Sequence, residues 1–393
     1  MILTTKQEEG LREIVARCGN HDKFVTISGY AGTGKSTLVK VAIEALKVNP
    51  EDVAYATFTG KAAEVLRKKG NPGAITLHKL LYDHFPLPTG GYIRRPKERI
   101  DKKVVVVDEV SMVPKSMIEL LLTHRAFVIF LGDPFQLPQI DKDEAHDILD
   151  HPHVFLDEIM RQEADSEIIK LTLAIRNMQP IDFYKGEQIQ IIPKSQLVDG
   201  CYTWADQVIT GTNATRRAVN DQMRAMLGFS GLPQEGEKMI CLRNFWDDFS
   251  TNGDPLVNGL TGIIHNPVDT TIQIPPIARI KKKEVPVIRC DFEVDENNIF
   301  LDTPMDKTLI TSGEPYLDFR ENYRLRMIKS RIGDFLPRDY DFGYAITCHK
   351  AQGSEWDKVL VIEDTFPFDK KEHARWLYTA CTRASEKLVL VRS

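Results

Sequence analysis

Phe24-Val-Thr-Ile-Ser-Gly-Tyr-Ala-Gly-Thr-Gly-Lys-Ser-Thr37 decides the fold class. Its β-branched start predicts a buried strand. A glycine-rich turn follows, and then Leu38, Val39, Ala42, Ala45 and Leu46 place apolar groups on one face at helical spacing. Asn49-Pro50 supplies a stop. Between strand and helix, Gly29, Gly34, Lys35 and Ser36 keep the spacing G-x-x-x-x-G-K-[ST]. Ala31, Gly32 and Thr33 fill the loop, and Thr37 follows it. Glycines let backbone N–H groups converge on phosphate oxygens, and the helix start adds positive potential. Lys35 is expected to reach the β- and γ-phosphates and Ser36 to ligate Mg²⁺. Alone, the loop implies a nucleoside triphosphate and leaves open what its energy drives.

Outward from that loop, 393 residues suit two or three domains with a substantial core. Hydrophobic content of 42% and charged content of 27% are those of an ordinary globular chain. No apolar run approaches membrane-spanning length, no signal-peptide pattern opens the chain, and no membrane partner is expected. Six scattered cysteines without a C-x-x-C pair predict reduced thiols and a cytoplasmic, intracellular setting. At a formal net charge of −5, any nucleic-acid binding must use local basic surface.

Before the loop, Thr4 or Thr5 caps a helix running to about Arg17, and Gln7 carries an amide that suits a purine edge or plain solvent. Val53 to Phe58 predicts a second strand; Thr59 and Lys61 open the next helix, and His78 follows in Thr76-Leu-His-Lys-Leu-Leu81. In an α/β sheet such strand ends face the ligand. Residues 83–95 predict two extended pieces around Thr89-Gly-Gly91, leading into a basic run from Arg94 to Lys103. Either this is a surface hairpin with a solvated flank, or it protrudes and touches phosphates. Val104 to Val107 is a buried strand ending in Asp108-Glu109. There Asp108 is expected to hold Mg²⁺ and Glu109 to orient and deprotonate the attacking water. A further buried strand, Ala126 to Leu131, ends in Gly132-Asp-Pro-Phe-Gln-Leu-Pro138, whose Gln136 can sense a γ-phosphate without adding charge. His146, His151 and His153 match no standard ligand spacing and read as surface residues.

A second α/β unit follows, without a phosphate loop. It has a helix with Ile168, Leu171, Thr172 and Ile175 on one face, a strand from Gln207, and a helix from Thr215 to Leu227 with Val219, Met223, Met226 and Leu227 apolar. Between about Gly236 and Arg331 short β-type runs alternate with turns: Lys238–Leu242, Gly262–His265, Thr270–Ile274, Val285–Cys290, Thr308–Thr311 and Tyr323–Met327. That spacing predicts a small inserted antiparallel barrel. Arg279, Lys281, Lys282 and Lys283 form a basic strip within it. The α/β pattern returns at Phe342–Ile346 and closes with the strand Lys387–Val391.

In order along the chain, these segments resemble the superfamily-1 helicases, in particular the RecD/Dda-like branch. The match rests on Gln7, GYAGTGKS from Gly29, TGKAA from Thr59, TLHKLL from Thr76, DEVSM from Asp108, GDPFQLP from Gly132, EIMRQ from Glu158, TNATRRAVN from Thr212, TCHKAQGSEWD from Thr347 and LYTACTRA from Leu377. The resemblance implies an α/β fold of two RecA-like domains with parallel sheets and ATP in the cleft between them. The implied domains are residues 1–155, with a pin-like hairpin at about 82–103; residues 156–235 with 332–393; and an inserted SH3-like β-barrel at 236–331. It further implies that Arg161 and Arg383 reach the γ-phosphate, where phosphoryl transfer spreads charge over three oxygens. By the same resemblance Gln136 couples that phosphate to closure, Glu355 contacts ribose or the triphosphate edge, and Gln7 reads adenine. Single-stranded DNA is expected along Phe58, Thr59, Lys61, His78, Asn213, Thr347 and His349, with Phe85 or Tyr92 stacking on a fork base pair.

The implied activity is an ATP- and Mg²⁺-dependent 5′→3′ DNA helicase acting on single strands and on forked or tailed duplexes, in replication, repair or recombination. Phe58 stands where relatives commonly carry proline. The chain is short for the group, so a stand-alone monomer of phage origin is expected. Two rivals remain: a translocase that strips proteins from DNA with little unwinding, and a non-catalytic nucleic-acid-binding module. RNA as substrate also stays open.

Overall fold

In the computed structural model of the chain, the structure describes residues 3–71, 73–86, 92–138, 142–160, 165–274, 276, 280–296, 298–332, 336–364 and 369–392. The phosphate-loop strand, Phe24–Gly29, is buried at all but its first residue. It lies within a six-stranded sheet whose order is Ile75–Thr76, Val53–Thr57, Val104–Asp108, Phe127–Gly132, Phe24–Gly29 and Val154–Leu156. Every pairing in it is parallel. The run of valines shows why such a strand reads as continuously apolar. Val104 and Val106 pack on one face with Ile14, Leu38 and Val39, while Val105 and Val107 pack on the other with Leu77, Met117 and Leu121. Alternate side chains therefore meet helices on both faces.

A second six-stranded sheet runs in the order Ala345–Thr347, Gln207–Thr210, Trp356–Ile362, Ala384–Arg392, Ile189–Pro193 and Tyr184–Lys185. Its inner strands pair in parallel, and the short edge strand Tyr184–Lys185 is antiparallel. The helix Glu167–Arg176 buries Ile168, Leu171, Thr172 and Ile175, the four residues its periodicity points inward. Residues 1–82, 96–215 and 347–393 form one compact unit, which holds the first sheet and nearly all of the second.

The other compact unit comprises residues 83–95 and 216–346. The strands Tyr82–Pro86 and Tyr92–Pro96 pair as a hairpin, whose expected turn at Thr89-Gly-Gly91 lies outside the described residues. A five-stranded sheet runs in the order Asn298–Asp306, Glu284–Asp295, Thr261–Gln273, Lys238–Cys241 and Tyr340–Phe342, antiparallel throughout. Its two outer strands are linked: Met305 bridges to Arg338, with the Arg338 amide donating to Pro304 O (2.6 Å) and the Asp306 amide donating to Arg338 O (2.8 Å). The Arg338 guanidinium pairs with Asp248, one bond being 2.7 Å.

Four expectations for this region are corrected. Gly262–His265 and Thr270–Ile274 belong to one strand, Thr261–Gln273, whose register shifts between His265 and Val268, near Asn266 with φ 53°. Thr308–Thr311 lies in the helix Lys307–Ser312. The Asp306 carboxylate caps it, accepting from Thr308 N (2.9 Å) and Leu309 N (3.1 Å), and Gly313 ends it at φ 83°. Capping thus overrides the β preference of its threonines and isoleucine. Tyr323–Met327 lies in the helix Phe319–Ile332, where Arg324, Leu325, Arg326 and Met327 are all good helix formers. The helix predicted from Thr215 runs Asn213–Met226, and Leu227 beyond it is 45% exposed. The buried face of that helix includes Arg224, held by Glu237 (2.6 and 3.0 Å).

Candidate active site

Geometry at the phosphate loop follows from its glycines. Gly32 (φ 76°) and Gly34 (φ 74°) occupy the left-handed region that side chains disfavour. A Cβ on Gly34 would lie 2.4 Å from both Gln7 Nε2 and Met160 Sδ. Gly34 also starts the helix Lys35–Leu46 without any side-chain cap, so the first-turn N–H groups have no such acceptor. Lys35 Nζ donates to Gly29 O (2.6 Å) and Tyr30 O (2.9 Å), folding the ammonium over its own loop. Thr33 Oγ1 donates to Tyr30 O (2.8 Å). Ser36 is exposed and Thr37 half-buried in the first helical turn. Gln7 is fully buried rather than solvated. Thr4 is the cap, in a reciprocal box with Gln7, and Gln7 Nε2 donates to Thr33 O (3.3 Å) and Gly34 O (3.4 Å).

Two acids end the strand Val104–Asp108. Glu109 sits at φ 52° and its amide donates to Asp108 Oδ1 (2.9 Å). Burial pushes the Asp108 carboxyl up to about 6; the Glu109 charge acts the same way, while the Glu109 amide and Lys35 oppose it. Gln136 joins Glu109 to Arg383. With its amide set by its neighbours, the nitrogen donates to Glu109 Oε2 (3.0 Å) and the oxygen accepts from Arg383 Nη2 (3.2 Å). Arg383 Nη1 lies 4.0 Å from Glu109 Oε1. Arg383 is itself buried, donating to Thr379 O (3.1 Å), Ser354 O (3.2 Å) and Thr382 Oγ1 (3.0 Å). Three expected catalytic groups, Glu109, Gln136 and Arg383, therefore meet. Arg161 lies outside the described residues.

Sequence reasoning passed over a second set of links from the segments after Thr347 to the first sheet. Tyr378 Oη donates to Asp133 Oδ2 (2.5 Å) and accepts from the phosphate-loop amide of Ala31 (3.0 Å). Burial raises the Asp133 carboxyl, and the Tyr378 bond opposes that rise. Gln352 Nε2 donates to Leu137 O (2.7 Å), and the Leu137 amide donates to Thr379 Oγ1 (3.0 Å). Both ends of the Gly132–Pro138 loop are thus read by side chains more than 200 positions later in the chain. The motif residues alone carried no signal for these pairings.

Several residues expected to meet DNA already have structural work. Thr59 Oγ1 caps its helix through Ala62 N (3.2 Å). Lys61 Nζ pairs with Glu64 (2.9 Å), largely out of solvent. Burial raises the Glu64 carboxyl, but Lys61 and Lys68 together bring it below its ordinary value. Phe58 and His78 have ring centroids 5.6 Å apart, with Tyr82 stacked on His78 at 6.1 Å. Asn213 is exposed as the first residue of its helix. The preceding turn is held by Asp364, which accepts from Gly211 N (2.8 Å) and Thr212 N (2.9 Å). Thr347 starts the short helix Cys348–Ala351, in which His349 is exposed. Glu355 forms an ion pair with Lys69. Phe85 and Tyr92 stand on the paired hairpin strands.

His146 and His153 are not plain surface residues. His146 Nε2 is 3.0 Å from Val110 O, and His153 Nδ1 accepts from Thr26 N (3.0 Å). Among the described residues, no three His, Cys, Asp or Glu side chains gather as a metal site. The oxygen donors at hand, the Ser36 hydroxyl and the half-buried Asp108 carboxyl, are of the hard type that Mg²⁺ takes alongside phosphate oxygens. The cradle of left-handed glycines, an uncapped helix start and a lysine suits a triphosphate.

Residues 2–192 match the AAA domain family, and residues 342–391 match the UvrD-like helicase C-terminal domain. The chain is 24% identical over 421 residues to the ATP-dependent DNA helicase PIF1 of Candida albicans, covering 86% of this chain and 44% of that protein. It is 25% identical over 394 residues to the ATP-dependent RecD2 DNA helicase of Deinococcus radiodurans, covering 97% and 49%. The chain thus spans about half the length of these helicases. A crystal structure of Pif1 helicase from Bacteroides in complex with ADP-AlF3 and single-stranded DNA aligns with a TM-score of 0.53 at 18% identity, covering 99% of this chain and 92% of that one. That likeness is one of fold.

Proposed function

We propose that this chain, which belongs with the superfamily-1 helicases of the Pif1 and RecD2 kind, is an ATP-driven motor that moves 5′→3′ on single-stranded DNA and separates duplex strands. The observation that carries the reading is the Glu109–Gln136–Arg383 network. It sets a carboxylate beside a neutral amide and a cation, groups that suit phosphoryl transfer. Bound Mg²⁺-ATP would supply the phosphoanhydride whose cleavage releases the energy. Lys35 and the amides from Ala31 to Thr37 would hold its phosphates, and Ser36 and Asp108 its metal ion. Glu109 would take the proton from the attacking water at a carboxylate oxygen, while Arg383, joined by Arg161, would neutralise the transferred group. Gln7 would read the adenine and Glu355 the ribose or the triphosphate edge.

The division into residues 1–155, 156–235 with 332–393, and 236–331 belongs to the same proposal. The antiparallel strands between Lys238 and Asp306 support reading 236–331 as an inserted SH3-like barrel, and the Met305–Arg338 link, whose second residue lies past 331, supports its closure. Phe58, Thr59, Lys61, His78, Asn213, Thr347 and His349 are the proposed contacts to the strand, and the hairpin with Phe85 and Tyr92 is the proposed pin. A tailed-duplex unwinding assay tests the motor. A 5′-tailed substrate should be separated, a 3′-tailed one should not, and ATP hydrolysis should rise with added single strands. Unwinding of the 3′-tailed duplex alone would overturn the polarity, and hydrolysis indifferent to DNA would overturn the motor.

A further inference from the structure

The basic strip at Lys281–Lys283 and the helix Phe319–Ile332 are far apart in sequence, but the fold joins them. Lys282 Nζ donates to Glu321 Oε2 on that helix (2.8 Å) and lies 4.6 Å from the centre of the Tyr316 ring. Leu325 on the helix packs with Leu317, Ile272, Val285 and Val287, so the inward face of the helix is settled. Its outward face presents Phe319, 85% exposed, and Tyr323, 57% exposed, one helical turn apart, flanked by the exposed Arg320 and Arg324. Lys281 and Lys283, the chain neighbours of Lys282, are exposed. The helix sequence carries Arg320, Arg324, Arg326, Lys329 and Arg331 against one acid, Glu321, in a chain whose net charge is −5. Glu321 is committed to Lys282.

Two exposed aromatic rings cost solvation and gain nothing for folding; cations around them select an anionic partner that also has flat apolar faces. Unpaired bases on a phosphate backbone have that combination. We propose that Phe319 and Tyr323, with Lys281, Lys283, Arg320 and Arg324, form a binding site for single-stranded nucleic acid on the inserted region, additional to the strand contacts proposed above. The rings stack on bases and the cations take phosphates. This rests on the reading that the chain handles DNA.

The test uses the full chain without nucleotide and a fluorescein-labelled thirty-residue oligothymidylate, followed by anisotropy at several salt concentrations. Phe319→Ala with Tyr323→Ala should weaken binding by about tenfold or more, from the loss of two stacking partners. Lys281→Ala with Lys283→Ala should reduce the slope of log affinity against log salt by roughly 1.4, at about 0.7 per phosphate contact. A blunt duplex, whose bases are already stacked, should lose less than twofold with the ring variant. All these side chains are exposed, so melting temperatures should stay near that of the unaltered chain. Oligothymidylate affinity changed by less than twofold in the ring variant overturns the site and leaves the patch to an acidic protein surface. Equal losses on the blunt duplex overturn stacking. A parallel oligouridylate titration separates DNA from RNA. ATP hydrolysis by the unaltered chain, with and without the oligonucleotide, tests the motor separately, because the site can stand where that stimulation fails.

Discussion

Replacing Tyr378 with phenylalanine removes one oxygen and two hydrogen bonds. One is the phenol's donation to Asp133 Oδ2 at 2.5 Å, and the other is its acceptance from the Ala31 amide at 3.0 Å. Tyr378 is 1% exposed and Asp133 likewise, so water cannot easily replace either bond. A hydrogen bond to a charged group contributes about 1.5–3 kcal/mol and a neutral one about 0.5–1.5 kcal/mol. The expected loss is therefore about 2–4 kcal/mol. At roughly 2–4 °C per kcal/mol for a large folding unit, the melting temperature of the nucleotide-free chain should drop by about 5–15 °C. Asp133 should also titrate higher still, since burial already raises its carboxyl and the phenol is one of the groups that hold it down. The check is a double-mutant cycle of Tyr378→Phe and Asp133→Asn by differential scanning calorimetry, with an expected coupling of about 1–3 kcal/mol. Additive single effects, within about 0.5 kcal/mol, would refute the claim that this pair ties the helix Lys370–Cys381 to the phosphate loop.

In steady-state ATPase assays, Glu109→Gln should lower kcat by about 10²–10⁴-fold through loss of the base, and Arg383→Ala by about 10³-fold or more; near-normal turnover in either removes that residue from catalysis. His265 lies between Glu235 Oε1 (2.7 Å) and Glu293 Oε2 (2.8 Å), and the Glu235 bond raises its pKa above the ordinary histidine value. Its contribution should be complete below pH 6.5 and fade as pH rises through the raised value. The melting-temperature gap between the unaltered chain and His265→Gln should accordingly shrink from pH 6 to pH 9; a gap independent of pH counts against the clasp. Gly353→Ala places a Cβ 2.9 Å from that of Ala62 at φ 73°, and should cost about 1–2 kcal/mol of stability by urea titration. No measurable cost would mean the segment after Thr347 shifts freely away from Thr59 and Ala62.

Local patterns were legible where one physical cause acts at short range. The β-branched runs at Phe24 and Val104 predict buried strands, and the fold buries them between helices on both faces. Glu109, Gln136 and Arg383 were readable as motif residues, and their convergence is the structural result. What was not legible is pairing over long sequence distance, as in Tyr378 with Asp133. The misread helix Lys307–Ser312 is a different failure. Its threonines and isoleucine favour strand, yet Asp306 before it and Gly313 after it are start and stop signals that decide the matter. The gap between the two expected runs in Thr261–Gln273 contains Asn266-Pro267, a turn-type pair that here marks an irregularity within the strand rather than its end.

The five-stranded sheet begins and finishes with neighbours: Lys238–Cys241 lies antiparallel to Tyr340–Phe342, with Met239 opposite Phe342. Nearly a hundred residues therefore leave and return through adjoining doorways, as a tight turn would. A segment attached in this way can lengthen, shrink or be exchanged over generations while the strands on either side keep their register. The exposed rings and lysines it carries would then be the most readily rewritten part of this molecule.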